Sequence, residues 1–256
     1  MTSPLFDLTG RVAVITGTSR GIGRELAHGF AEAGATVVGC ARSYEAAEKT
    51  AAELRDKGHE ALGVLADVSR SEDCEALIQN AVRRYGKVDI LVCNAGTNIR
   101  RPAIDFSAAE FDQVIGGNLR AYFLTAQAAA RQFVKQGTGG AIVMNSSNAS
   151  VAAFDELTPY GAAKGGIDAL VRGLALEWGR HNIRVNAFNP GYTNHSMTEK
   201  GKALMAKSHD AIIARTPLKR IAEMKEMAGP AIFLASDAAS FVTGVVLLAD
   251  GGWCAT

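Results

Sequence analysis

The chain has 256 residues, 48% of them hydrophobic and 21% charged, which is enough apolar material for one sizeable core and too little polarity for a disordered chain. A formal net charge of +1, with no Lys/Arg cluster resembling a basic arm, argues against a nucleic-acid partner. Cys40, Cys74, Cys93 and Cys254 are scattered without a C-x-x-C or a His/Cys pair at ligand spacing, so neither a disulfide framework nor a metal site is expected.

The N-terminal stretch MTSPLFDLTGR lacks the basic start and apolar run of a secretory signal. No uninterrupted apolar stretch approaches the ~20 residues that span a bilayer. A soluble cytoplasmic protein without a membrane partner is expected. In chain order, apolar runs rich in valine and isoleucine then alternate with alanine-rich segments of helical period. RVAVIT precedes a helix over Gly23 to Glu32, TVVGC one over Glu45 to Lys57, and ALGVLA one over Glu72 to Tyr85. DILVC follows, then a long helical stretch from Ala108 to Lys135, AIVMN, a helix holding Tyr160, IRVNAF, and VVLLA near the C-terminus. Strand alternating with helix predicts an α/β fold, a single Rossmann-type domain over 1–256 with a doubly wound parallel sheet covered on both faces. Such a sheet binds ligands beyond the carboxyl ends of its strands.

After the first strand comes TGTSRGIG, which places Gly17, Ser19, Arg20, Gly21, Ile22 and Gly23 between strand and helix. The spacing Thr-Gly-x-x-x-Gly-x-Gly differs from G-x-G-x-x-G. It still supplies a tight turn, close backbone approach and a helix N-terminus for a pyrophosphate, so a dinucleotide site is expected. The second strand ends GCARS, with Ala41 where an acid would hold the ribose 2′-hydroxyl of NAD and Arg42 next to it. Arg20 and Arg42 together suit a 2′-phosphate, favouring NADP over NAD, unless Arg42 is simply a solvated helix start. Asp67, ending the third strand, is placed either to accept from an adenine amino group or to cap a helix from Ser69.

Tyr160 and Lys164 in PYGAAKGG stand four residues apart, on one helix face with Cβ atoms about 5–6 Å apart. A free phenol has a pKa of about 10, and an ammonium about 5 Å away would lower it by roughly two units, making Tyr160 a proton carrier near neutral pH. The polar segment 193–217 reads as a lid over the site, or as an insertion with no role.

Together TGTSRGIG, NAG at Asn94 to Gly96, Asn118 in GGNLR, Ser147 in MNSSNAS, YGAAK, and PGYT at Pro190 to Thr193 resemble the short-chain dehydrogenase/reductase family in order and spacing over essentially the whole chain. The resemblance implies the catalytic tetrad Asn118, Ser147, Tyr160 and Lys164. It extends the cofactor site to Val68, Asn94, Ala95, Gly96, Pro190, Gly191 and Thr193, with Tyr160 and Lys164 shared, and it implies a homotetramer. Cys93 and Ala163 depart from the usual Asn and Ser without removing a proton donor or charge. NAGTNIRRP, QAAARQFVKQGTGG and the ending DGGW resemble the branch that oxidises sugar acids and polyols, such as gluconate 5-dehydrogenases and 2-deoxygluconate 3-dehydrogenases. Arg100 and Arg101 are candidates for a substrate carboxylate, with Asn148 nearby; a solvated pair or a subunit contact is the competing reading. A 3-oxoacyl-carrier-protein reductase or general carbonyl reductase is the alternative enzyme, and a non-catalytic NADP-binding sensor the alternative of another class. Trp253, close to the C-terminus, is expected to be buried between subunits or, failing that, against its own chain.

Overall fold

A computed structural model of the chain describes residues 4–194 and 199–255. Each apolar run forms a strand: β1 (Val12–Thr16), β2 (Thr36–Ala41), β3 (Ala61–Leu65), β4 (Ile90–Cys93), β5 (Gly140–Asn145), β6 (Ile183–Pro190) and β7 (Val246–Ala249). All pair in parallel in the order β3-β2-β1-β4-β5-β6-β7. Helices α1 (Gly21–Glu32), α2 (Tyr44–Asp56), α3 (Ser71–Tyr85), α4 (Ala108–Ile115), α5 (Ala121–Gln136), α6 (Thr158–Trp178), α7 (Glu199–Arg215) and α8 (Ala228–Ala235) complete the order.

The sheet is buried on both faces because its strands carry apolar side chains on both. Val14, Leu91 and Ile142 pack under Leu77 of α3, Phe133 of α5 and Val171 of α6. Ile15, Val92 and Val143 pack under Phe30 of α1, Leu54 of α2 and Leu234 of α8. From β1 the chain winds outward to β3, returns to β4 beside β1, and winds the other way to β7. The reversal opens a crevice at the carboxyl ends of β1 and β4, where such sheets hold ligands.

Three expectations are refined. The stretch from Ala108 to Lys135 is α4 and α5 joined by a π-helical turn, Gly116–Arg120, with Asn118 at its centre. The helix expected from Ser69 begins at Ser71, and Asp67 organises the turn before it by accepting from the Ser69 amide at 3.0 Å and hydroxyl at 2.8 Å. Trp253 is 5% exposed within one chain, so its burial needs no second subunit. It stacks on Phe154 with centroids 5.1 Å apart, meets Tyr192 edge-on at 5.8 Å, and lies 3.7 Å beneath the guanidinium of Arg215.

Within the expected lid, α7 is helical, while 195–198 lie outside the described residues. A bridge between Thr193 and Ala222 ties the base of this segment, with Ala222 N donating to Tyr192 O at 3.0 Å and Asn194 N to Ala222 O at 2.9 Å. Among the described residues no helix is long and apolar enough to cross a membrane.

Candidate active site

The turn after β1 must bend sharply beneath β4. Gly17 does this at φ +74°, a left-handed conformation, and a Cβ there would stand 2.8 Å from the Cα of Ala95. One helical turn on, a Cβ at Gly23 would stand 2.1 Å from the Gly17 carbonyl and 2.3 Å from the Asn94 amide nitrogen. The loop is therefore closed down onto Asn94 to Gly96, and the amides at the start of α1 open towards the crevice without a side-chain cap from Arg20.

Asparagine side chains tie the strand ends together. Asn94 Nδ2 donates to Thr16 O at 3.0 Å and Gly17 O at 3.3 Å, and Asn94 N donates to Thr16 Oγ1 at 2.8 Å. Asn145 Nδ2 donates to Asn94 Oδ1 at 2.8 Å. The glycine loop, β4 and β5 are thus joined by one hydrogen-bonded chain.

These elements enclose a cavity of about 560 Å³. Every residue expected to hold the cofactor, from Gly17 in the loop to Thr193 after β6, stands in its wall, as do Asn118, Ser147, Tyr160 and Lys164. At one end Arg20 and Arg42 line it beside Ala41, and neither guanidinium has a hydrogen bond or ion pair among the described residues. Glu45, the first acid after Arg42 in the sequence, is turned to its own helix start, where it accepts from the Ser43 hydroxyl at 2.9 Å. Asp67 faces the same end. Burial opposes its charge, but the Ser69 hydrogen bonds and the positive charges of Arg42 and Arg70 hold its carboxyl below the usual range.

At the other end, the π turn carries Asn118 into the wall, fully buried, with Nδ2 donating to Thr97 O and Val114 O, both at 2.7 Å. Its Oδ1 is buried without a partner, as is Asn145 Oδ1. Such groups carry a cost unless something entering the cleft satisfies them. Ser147 Oγ accepts from Ala149 N at 3.1 Å and donates to Asn148 Oδ1 at 3.3 Å.

Tyr160 and Lys164 share a face of α6 as the spacing requires, with Lys164 Nζ 5.5 Å from the Tyr160 ring centroid. The expected lowering of the phenol pKa is corrected. Burial pushes Tyr160 up to about 12, and a hydrogen bond with Ser147 only partly offsets it. The same burial pulls Lys164 down to about 7 against the attraction of Asp168, one turn further along α6. In the free chain desolvation outweighs mutual attraction, and the phenol is a protonated acid at neutral pH.

Arg100 and Arg101 are brought near the site but not into its wall. Arg101 is held by Glu110 at 2.8 Å, and Arg100 Nη1 donates to Asp155 O at 3.4 Å. Asn148 is buried behind Ser147. Sequence reasoning did not single out Tyr122, Asn145 or Tyr192. The first had a usable signal, since Tyr122 follows Asn118 by four residues as Lys164 follows Tyr160.

The profile of a family described as Enoyl-(Acyl carrier protein) reductase matches residues 17–254. The 2-dehydro-3-deoxy-D-gluconate 5-dehydrogenase of Dickeya dadantii (strain 3937) is 40% identical over 250 residues, 98% of each chain. The gluconate 5-dehydrogenase of Gluconobacter oxydans (strain 621H) is 39% identical over 253 residues, 97% of this chain and 96% of that one. The crystal structure of a gluconate 5-dehydrogenase from Burkholderia cenocepacia J2315, in complex with NADP and tartrate, is similar with a TM-score of 0.93 at 39% identity, covering 98% of both chains.

Proposed function

The chain belongs to the short-chain dehydrogenase/reductase family of oxidoreductases, and on that premise we propose that it interconverts a secondary alcohol and a ketone on a sugar acid or polyol, using NADP. One observation carries the reading: a single cleft joins a glycine loop, flanked by two guanidiniums that have no hydrogen bond or ion pair among the described residues, to a serine, a tyrosine and a lysine at its far end. The residues fit a dinucleotide, because the loop is closed where a Cβ would collide and buried Asn118 and Asn145 oxygens await partners.

Gly17 to Gly23 and the start of α1 would hold the pyrophosphate, Arg20 and Arg42 the 2′-phosphate, and Asp67 and Val68 the adenine end. When bound, NADP supplies the hydride acceptor and NADPH the donor. Ser147 hydrogen-bonds the reacting oxygen of the substrate and fixes its position. Tyr160, protonated at neutral pH, gives its proton to a carbonyl oxygen in reduction, and only after losing it, as the phenolate, takes one from the alcohol in oxidation. Lys164 presents its ammonium to the same end, and Asn118 stands in the wall of the same cleft. The relatives named for sugar acids favour that substrate class over acyl thioesters.

An apolar groove between α5 and α6, with Leu176 85% exposed and Val134 half-exposed, supports self-association as a homotetramer, and four free thiols suit the reducing cytoplasm. The test is a panel of NADP-linked oxidations and reductions across aldonates, keto-deoxyaldonates, polyols and 3-oxoacyl thioesters. Turnover confined to acyl thioesters would reject the substrate class, and none at all with any alcohol or ketone would reject the reaction.

A further inference from the structure

Lys164 is already fastened in the free chain. Its Nζ donates to the backbone carbonyl of Asn145 at 2.7 Å and lies 3.5 Å from the hydroxyl of Tyr122, whose ring centroid is 4.9 Å away. The Tyr122 hydroxyl is itself 2.9 Å from the same carbonyl. A carbonyl only accepts, so the phenol donates its single proton there and its lone pairs are left for the ammonium. The three groups close a triangle away from water, with Tyr122 1% and Lys164 3% exposed.

We propose that Tyr122 is a positioning residue for the reaction, its hydroxyl holding the Lys164 ammonium against the end of β5 so that a remaining N–H faces the cleft. The placement follows from two i, i+4 pairs facing each other: Asn118 and Tyr122 across the junction of the π turn and α5, Tyr160 and Lys164 on α6. Asn118, Tyr160 and Lys164 stand in the wall of the cleft, and Tyr122 meets Lys164 from behind it. The carbonyl they share belongs to Asn145, whose side chain continues through Asn94 to the glycine loop. The tether therefore references the ammonium to the same strand ends that shape the cofactor cradle.

The other titratable groups facing Lys164 are Asp168 on its own helix, Cys93 on β4 and Tyr160. Asp168 attracts the charge, while burial keeps the Cys93 thiol and both phenols protonated at neutral pH. Tyr122 thus supplies orientation through lone pairs rather than charge. The effect on turnover rests on the roles proposed above for Tyr160 and Lys164, whereas the tether is a property of the free chain.

Two measurements on full-length protein test it, using lysines labelled with ¹³C at Cε, with Lys164 assigned from a Lys164→Arg spectrum. In wild type the two Lys164 Hε protons are expected to be distinct, as in a single fixed rotamer. In Tyr122→Phe, which keeps the ring, they are expected to coalesce, and the Lys164 titration midpoint to fall by about half to one pH unit for the loss of one acceptor. Alcohol oxidation near pH 7 should drop about threefold to tenfold in kcat with KM for alcohol changed less than about twofold. An unchanged midpoint and splitting in a folded variant overturns the proposal whatever happens to turnover. If the variant does not fold, the wild type alone decides, since averaged Hε protons with an ordinary midpoint near about 10.4 would overturn it. The expected spectral changes in a protein that oxidises no alcohol would keep the tether and reject the functional reading.

Discussion

Replacing Lys164 with methionine should stabilise the protein while abolishing its chemistry, and the gain should depend on pH in a defined direction. The amine is 3% exposed and burial pulls its pKa down to about 7. In the unfolded chain a lysine keeps its proton up to about pH 10.4. Between these values the unfolded state binds more protons than the folded one, so wild-type stability rises with pH across that window and the burden of a buried charge is full below it. A difference of roughly 3.4 units corresponds to about 4–5 kcal/mol, from which roughly 2 kcal/mol is offset by the lost bond to the Asn145 carbonyl. Methionine fills a similar volume without titrating. Lys164→Met is therefore expected to gain about 2–3 kcal/mol at pH 6, a Tm about 5–10 °C higher for a chain of this size, with the gain shrinking as pH approaches 9.5. Differential scanning calorimetry from pH 6 to 9.5 measures the gap directly. A gap that does not change with pH, or a destabilised variant at pH 6, would refute the argument that desolvation governs this site.

Tyr160→Phe should lower kcat by about a thousandfold while NADPH affinity, followed by fluorescence titration, changes less than about threefold; substantial turnover in the folded variant would remove Tyr160 from its role. Because the phenol sits near 12 in the free chain, kcat/KM for alcohol oxidation should climb with pH through 7 to 9, and reduction should be already active at neutrality. A flat oxidation profile would show that some other group takes the proton. Ala41→Asp should set a carboxylate against the 2′-phosphate and lower the NADP-to-NAD ratio of kcat/KM about tenfold to a hundredfold. A wild type that already prefers NAD would falsify the role given to Arg20 and Arg42.

What the chain disclosed before folding was whatever depends on neighbours in sequence. The strands were legible because both faces are apolar, the glycine loop because its spacing lies within one turn, and Tyr160 with Lys164 because a helix period is local. Asp67 was ambiguous, an acceptor for adenine or a cap for a helix from Ser69, because neither the helix start, which falls two residues later, nor what faces the carboxylate is local. The phenol pKa went astray because spacing reports the Tyr160 to Lys164 separation but not the protein packed around them, and desolvation is set by α5, β4 and β5. Trp253 looked unprovided for because Phe154, Tyr192 and Arg215, which cover it, are distant in sequence. Tyr122 escaped notice because its role appears only when α5 is laid against α6.

The π turn at Gly116–Arg120 ties the chemistry to the length of the chain as well as to its geometry. It holds one residue more than an α turn, so everything after it is rotated by about 100° from where an unbroken helix would put it. Insertions and deletions normally accumulate in loops. Here, by contrast, deleting one residue inside a helix would restore a more regular helix and turn Tyr122 away from its place behind Lys164. A gap placed there when descendants of this chain are aligned would therefore mark the loss of a chemistry, even where every other residue of the site is kept.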